Sequence, residues 1–225
     1  MPRQLTFDLP ARPALGRGDF LIAPSNRVAL TVLDSTWPQG KLALTGPEGA
    51  GKSHLAQVWA AEQGAVVLQG QALATVALGQ INPAAVVVDD ADCIAGDPTA
   101  EQALFHLHNL VLASGGLLLL TGVSAPARWG VALPDLASRL AATATAALEP
   151  PDDLLLSTLL VKLFADRQLR VAPDLIAYLV ARMDRSFAAA GALVAALDAR
   201  ALAERRAVNR GLAAEVLDMA LKRQP

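Results

Sequence analysis

The ten residues from Gly46 to Leu55, GPEGAGKSHL, are the ones whose types and spacing point most directly to chemistry. They satisfy the pattern G-x-x-x-x-G-K-[ST]. Glycines let backbone N–H groups come close to a phosphate because no side chain intervenes. Lys52 would reach the β- and γ-phosphates, and Ser53 would ligate Mg²⁺. The loop therefore predicts a site for ADP or ATP with Mg²⁺, formed by Gly46, Pro47, Glu48, Gly49, Ala50, Gly51, Lys52, Ser53 and His54.

A pair of carboxylates ends an apolar run further along the chain, in AAVVVDDAD at 84–92. Asp89 would stand at the carboxyl end of a strand, where α/β sheets place their ligand sites, and would hold Mg²⁺ through water. Asp90 would orient or deprotonate an attacking water, which makes it a candidate catalytic residue. The alternative is that the two carboxylates only cap a loop. Asp92 has no predicted role.

Apolar runs bounded by turn residues predict the strands that would position these groups. The runs lie at 41–45, 65–69, 84–89, 116–121 and 144–148, and the intervening stretches predict helices at 52–63, 71–78 and 100–113. This alternation predicts an α/β fold with a parallel, five-stranded αβα sandwich.

The prolines of EPPDD at 149–153 separate this layer from the remainder of the chain. Every later segment has helical spacing, so the chain predicts a small all-helical subdomain. We expect three parts: an extended arm at 1–18, the nucleotide-binding subdomain at 19–150, and the helical part at 151–225.

Composition limits the classes of function. The chain of 225 residues has a net charge of −2, so no global basic field points to nucleic acid. No apolar run is long enough to cross a bilayer, which predicts no membrane partner. The single cysteine, Cys93, fits a reducing cytoplasm and is expected to be a small buried apolar residue. The three tryptophans are expected in the core or at its rim.

Four further segments carry a family resemblance. LPDLASRL at 133–140 comes after LLLLTGVSAPARW, DFLIAPSNRVAL lies at 19–30, and MDRSFAAAGALVAALD lies at 183–198. With the phosphate loop and VVVDDAD, they resemble the replication-initiator branch of the AAA+ family, which includes DnaA. The chain is most similar to the Hda-like group of short DnaA homologues that inactivate DnaA. The resemblance implies an AAA+ P-loop NTPase fold with a helical lid.

The resemblance also assigns roles to single residues. Arg139 would be an arginine finger, a catalytic group that projects into the nucleotide of a neighbouring molecule, and its alternative is a surface arginine on a helix end. Arg185 would be the second sensor, reaching the phosphates from the lid, or else a solvated lid residue. Thr121 is favoured over Ser124 as the first sensor. Asn26 would be a nucleotide-binding residue, because it lies in the segment that the resemblance places near the base of the nucleotide.

The amino-terminal arm contains QLTFDL, which resembles the short motif that several replication proteins offer to the sliding clamp. The clamp-binding residues would be Gln4, Leu5, Phe7 and Leu9, with the apolar side chains entering a groove. The alternative is an amphipathic strand that pairs with the domain. No length remains after the lid for the helix-turn-helix of DnaA, so no direct sequence-specific DNA binding is expected.

The resulting hypothesis is a negative regulator of replication initiation. The resemblance implies DnaA and the DNA polymerase III β sliding clamp as partners, and it leaves self-association as a homo-oligomer open. Arg139 would promote hydrolysis of DnaA-bound ATP, while the chain's own ADP or ATP would serve as a latch with weak or no turnover. The alternatives are a self-contained DNA-associated ATPase such as a helicase loader, a nucleoside kinase, and a scaffold that binds nucleotide only to fold.

Overall fold

The computed structural model describes residues 23–81 and 84–221. Its centre is a parallel sheet whose strands are β1 (Lys41–Thr45), β2 (Val66–Gln69), β3 (Ala85–Asp89), β4 (Leu117–Gly122) and β5 (Ala144–Ala147). The strand order is β2-β3-β4-β1-β5. The strand β1, which leads into the phosphate loop, therefore lies between β4 and β5.

Eight α-helices accompany the strands in the described residues. Those belonging to the sheet layer are α1 (Pro24–Leu33), α2 (Lys52–Gln63), α3 (Pro98–Ala113) and α4 (Pro134–Ala141). The carboxy-terminal helices are α5 (Asp153–Asp166), α6 (Pro173–Val180), α7 (Phe187–Glu204) and α8 (Arg210–Leu221).

Near-continuous apolar strands form because helices cover both faces of the sheet. Successive residues of β1 point to opposite faces: Leu42 and Leu44 enter one core with Trp37 and Trp59, while Ala43 enters the other core. The prediction of a five-stranded parallel αβα layer is confirmed. The helices α5 to α8 surround a separate core of their own, which confirms the all-helical carboxy-terminal part.

The helix predicted at 71–78 is wrong. The structure has two short 3₁₀ segments there, Gly70–Thr75 and Leu78–Gln80. Two β-branched residues in its middle, Thr75 and Val76, and Gly79 just after its end are poor helix formers. At its start, Gly70 lies so close to the Asp90 carbonyl that an added Cβ would collide with it. The segment therefore does not form a full helix, and its Leu73 packs into the core that α3 also enters.

Cys93 contradicts its prediction, because it is exposed and not buried. It lies in a short 3₁₀ turn, Ala91–Ile94, whose buried residues are Ala91 and Ile94, so that turn directs its thiol outward. The prediction that the tryptophans are buried is confirmed: Trp37, Trp59 and Trp129 are each at most 6% exposed. Within the described residues, no helix is both long enough and apolar enough to cross a bilayer.

Candidate nucleotide site and the Arg139 pocket

The phosphate loop joins the end of β1 to the start of α2, at the carboxyl edge of the sheet. Gly49 and Gly51 have φ angles of 74° and 93°, a region that favours glycine. The lid closes over both glycines. A Cβ on Gly49 would collide with Ser186, and one on Gly51 would lie 3.1 Å from the Phe187 ring. Any side chain here would push the lid away from the loop.

The amino terminus of α2 differs from those of three other helices. Asp97, Asp152 and Ser186 each accept backbone N–H groups and so cap α3, α5 and α7. The residue before α2 is Gly51, which has no side chain to accept from the first-turn N–H groups. Uncapped N–H groups and the positive end of the helix dipole together favour an anion.

Lys52, the first residue of α2, is 6% exposed. Its Nζ donates to the carbonyls of Gly46 at 2.9 Å and Pro47 at 3.0 Å. The ammonium is therefore held inside the loop, where a bound phosphate would compete for its N–H groups. Ser53 and His54 come next on the same turn of α2 and are half-buried.

The ends of β3 and β4 bring the acidic pair and the first-sensor candidate together. Thr121 is fully buried, and its Oγ1 donates to Asp89 Oδ1 at 2.6 Å. The same Oγ1 accepts the backbone N–H of Asp90 at 2.8 Å. Thr121 also lies beside Leu44 of β1 in the sheet register. It therefore connects the acidic strand to the strand that carries the phosphate loop.

Asp90 has a left-handed backbone, with φ 50° and ψ 47°, and is exposed. Partial burial and the neighbouring Asp89 raise the pKa of Asp90, while Lys52 opposes the shift. A raised pKa makes the carboxylate a better proton acceptor. The prediction that Asp90 is a base therefore fits its surroundings, and its use in hydrolysis stays a prediction.

The start of α7 forms the lid side of the site. Arg185 pairs with Asp153 at 2.6 Å, and its neighbour Ser186 lies against the phosphate loop. The Phe187 ring stacks on His54 with the centroids 6.5 Å apart. Burial, and then Lys162, lower the pKa of His54. Arg185 thus lies one residue from the loop contact but is engaged with Asp153, and its role as second sensor stays a prediction.

Asn26 is buried, and its Oδ1 accepts the backbone N–H of Ala23 at 2.9 Å, which caps α1. Its predicted contact with the nucleotide stays a prediction. The clamp-binding residues Gln4, Leu5, Phe7 and Leu9 lie outside the described residues.

Arg139 lies near the amino-terminal ends of the strands, opposite the carboxyl ends where the phosphate loop lies. Lys41 begins β1, and its Nζ donates to the Arg139 carbonyl at 2.8 Å. Arg139 is half-buried, with its guanidinium over the Phe105 ring, 4.8 Å from the centroid, and its Nη1 3.5 Å from His108 Nδ1. The five residues of β1 span about 13 Å at 3.3 Å per residue, and the phosphate loop begins beyond their far end.

Glu101, a buried carboxylate that the sequence did not single out, binds the segment just before α4. Glu101 is 2% exposed and accepts the backbone N–H groups of Gly96, Ala132 and Leu133 at 2.8–3.1 Å. Burial alone would raise the pKa of Glu101, but these three donors outweigh it and hold the pKa below its usual value. Leu133 is the residue before α4, so Glu101 fixes the start of the helix that carries Arg139.

The sequence also assigned no functional role to Lys41 or His108. The one signal that could have found them is a basic residue within an apolar segment. Burial and then Arg139 lower the pKa of Lys41. Burial, then Lys41 and Arg139, lower the pKa of His108 to about 4. His108 is therefore neutral near pH 7.

No known protein-family profile matches the sequence. Solved structures do resemble it. Domain III of the replication initiation protein DnaA from Thermotoga maritima has a TM-score of 0.77 and 18% identity, covering 93% of this chain and 98% of that one. AMPPCP-bound DnaA from Aquifex aeolicus has a TM-score of 0.66 and 18% identity, covering 81% and 64%. A RuvB variant from Thermotoga maritima has a TM-score of 0.65 and 13% identity, covering 87% and 68%. The chain has the AAA+ P-loop NTPase fold, with a helical part after the sheet.

Proposed function

We propose that this chain is a nucleotide-bound AAA+ regulator that ends the active state of a DnaA-type replication initiator. Its phosphate loop holds ADP or ATP, and Arg139 acts on the triphosphate of a second molecule. Promotion of hydrolysis in that second molecule makes the chain a negative regulator of replication initiation.

The observation that carries this proposal is the position of Arg139. Its carbonyl is bonded to Lys41 at the start of β1, whereas the phosphate loop begins after Thr45 at the end of that strand. The Arg139 guanidinium lies over Phe105 and beside His108 of α3, and among the described residues it makes no hydrogen bond to the chain's own loop. Its natural target is therefore a nucleotide on another molecule, where a guanidinium stabilises charge on the transferring phosphoryl group.

The chain's own nucleotide would act as a latch between the loop and the lid. Ser186 and Phe187 already contact the loop glycines, and the Phe187 N–H donates to the Gly49 carbonyl at 3.3 Å. A phosphate bound among Gly49, Gly51 and Lys52 would therefore set the position of α7. Mg²⁺ needs few protein ligands when phosphates supply the others, and the Ser53 hydroxyl with the Asp89 carboxylate fits that requirement.

The structural relatives support the choice of partner. DnaA resembles the chain over almost all of its described length, and two of its structures are bound to AMPPCP. AAA+ domains of like shape would stack with the finger of one facing the nucleotide of the next. The arm residues Gln4, Leu5, Phe7 and Leu9 would tether the chain to the DNA polymerase III sliding clamp.

The test is hydrolysis of ATP by preloaded DnaA in single turnover, with and without this protein and DNA-loaded clamp. Wild type should accelerate hydrolysis, and Arg139→Ala should lower the acceleration about 10³-fold or more, the scale of an arginine finger. Arg128→Ala removes an exposed arginine that precedes α4 and serves as the matched control. Equal acceleration by Arg139→Ala and wild type would refute the proposed role of Arg139.

The arm is tested separately by clamp binding. The double change Gln4→Ala with Leu5→Ala should remove capture of the clamp in a pull-down while leaving ADP affinity unchanged. Unaltered capture would show that another part of the chain binds the clamp, or that no part does.

A second candidate, a self-contained DNA-associated ATPase such as a helicase loader, is favoured by Asp90. Its raised pKa and its place beside Asp89 suit a base for the chain's own hydrolysis. This candidate predicts turnover by the chain alone that DNA stimulates, that Asp90→Asn abolishes and that salt suppresses. Turnover unchanged in Asp90→Asn would exclude it.

A further inference from the structure

A cavity of about 520 Å³ lies at the amino-terminal edge of the sheet, opposite the phosphate loop. Lys41, His108 and Arg139 line it, together with the polar residues Gln39, Asn109 and Ser138 and the apolar residues Leu112, Ala113 and Ala142. The described lining contains no aspartate or glutamate. The basic residues come from three elements, β1, α3 and α4, so only the folded chain brings them together.

Lys41 is an unusual lysine because it is only 2% exposed. Its Nζ donates to the Arg139 carbonyl at 2.8 Å, a neutral acceptor. An ammonium group has three N–H donors, and a neutral carbonyl does not compensate its charge. Burial and the nearby Arg139 lower the pKa of Lys41, which is the sign of a cation held without a counter-charge.

His108 adds a third donor. Arg139 can only donate, so His108 Nδ1 must accept from it across their 3.5 Å contact. The proton of the neutral imidazole is then on Nε2. His108 is 4% exposed, and its Nε2 is buried with no partner at hydrogen-bond distance among the described residues, while the Asn109 side chain lies close enough to favour the protonated ring. A buried N–H with no acceptor is costly, so an anion oxygen that reaches this nitrogen is favoured.

From these three residues we propose that the pocket of Lys41, His108 and Arg139 is a binding site for a phosphoryl anion. The site deepens the proposed function and rests on it for the source of the anion, since the terminal phosphate of a partner's nucleotide would enter here. Lys41 and His108 are thereby binding residues that act beside Arg139.

The donor set suits a phosphoryl group better than a carboxylate. A phosphoryl group offers three oxygens in different directions, which can meet a guanidinium, an ammonium and an imidazole N–H at once. Arg139 is half-buried, so the pocket opens to solvent on the side where that guanidinium lies. Each donor removed should therefore weaken binding, because an anion in the pocket interacts with all three groups.

The test uses inorganic pyrophosphate as the probe and the full chain with saturating ADP and Mg²⁺, so that the phosphate loop is occupied. The chain has three histidines, which makes the His108 ring nitrogens assignable by NMR with a His108→Gln variant. Pyrophosphate should shift the His108 signals and raise its pKa from about 4. Lys41→Met and Arg139→Ala should each weaken binding about tenfold or more. Lys162→Met, in α5, is the matched control.

Two results would overturn the site: no shift at His108 in wild type, or a shift that both variants leave unchanged. Arg139→Ala keeps the test valid if Lys41→Met does not fold, since Arg139 is partly exposed. Acceleration of DnaA hydrolysis without pyrophosphate binding would reject the site and keep the proposed function. Pyrophosphate binding without acceleration would keep the site for a free anion and reject the proposed function. Inhibition of the acceleration by pyrophosphate would show that the partner's phosphate and the free anion share the site.

Discussion

The change Glu101→Gln tests how the chain positions Arg139. Glu101 is 2% exposed, and its two oxygens accept the N–H groups of Gly96, Ala132 and Leu133. A glutamine has only one acceptor oxygen, and its NH₂ group would face backbone N–H groups that are themselves donors. At least one backbone N–H then loses its partner inside the protein.

The expected loss comes from the hydrogen bonds. Leaving a buried donor unpaired costs about 1–3 kcal/mol, and bonds to a charged acceptor contribute more than neutral ones. We therefore expect the free energy of unfolding to fall by about 3 kcal/mol. For a chain of this length that lowers Tm by about 6–12 °C, at about 2–4 °C per kcal/mol. Asp166→Asn makes the same chemical change at an exposed position and should leave Tm almost unchanged.

The dependence on pH has a defined sign. The backbone donors hold the pKa of Glu101 below that of the unfolded chain, so its contribution is complete above the unfolded value of about 4.3. It is lost as the pH falls through the lower folded value. The difference in unfolding free energy between wild type and Glu101→Gln should thus be full at pH 7 and shrink below about pH 4.

Calorimetry or urea unfolding at pH 7 and pH 3 measures the stability, and the DnaA hydrolysis assay measures the effect on Arg139. Because Leu133 precedes α4, Glu101→Gln should reduce Arg139-dependent acceleration while ADP affinity stays at the wild-type value. A Tm within about 2 °C of wild type at pH 7 would refute the reasoning, as would a stability difference that does not change with pH.

Three more changes probe the nucleotide site. Thr121→Val leaves the Asp90 N–H unpaired and should cost about 1–3 kcal/mol in urea unfolding; a loss below about 0.5 kcal/mol would contradict it. Gly51→Ala, 3.1 Å from Phe187 at φ 93°, should weaken fluorescent-ADP binding about tenfold, whereas Gly64→Ala, with open space around it, should not; equal affinities would contradict this. Asp153→Asn frees Arg185 and should tighten ADP binding about two- to fivefold, and weaker binding would contradict the sensor role.

Much of the fold can be inferred from local patterns in the sequence. The apolar runs predicted all five strands, because a strand covered on both faces needs apolar side chains at successive positions. The phosphate loop could be predicted equally well, since all of its phosphate-binding groups come from one short segment. The helix predicted at 71–78 failed for two reasons: Thr75 and Val76 have low helix propensity, and Gly70, just before the segment, packs on the Asp90 carbonyl, a contact that the local sequence does not show.

The contacts of Lys41, Arg139 and Glu101 show why the remaining features could not be predicted from the sequence. Lys41 and Arg139 are 98 positions apart, and Glu101 bonds to Ala132 across 31 positions. Neither separation has a periodicity that sequence reasoning can detect. Cys93 is a similar case, because the direction of its thiol depends on a short turn packed against the sheet edge.

The sequence by itself determined the phosphate loop, the five strands, the helical carboxy-terminal part and, through family resemblance, the choice of Arg139. The tertiary structure alone decided where that arginine lies: at the amino-terminal edge of the sheet, beside Lys41 and His108 and away from the chain's own phosphate loop. The physical reason is that strand order and helix packing set which edge a residue reaches, and both arise from contacts between segments far apart in the chain.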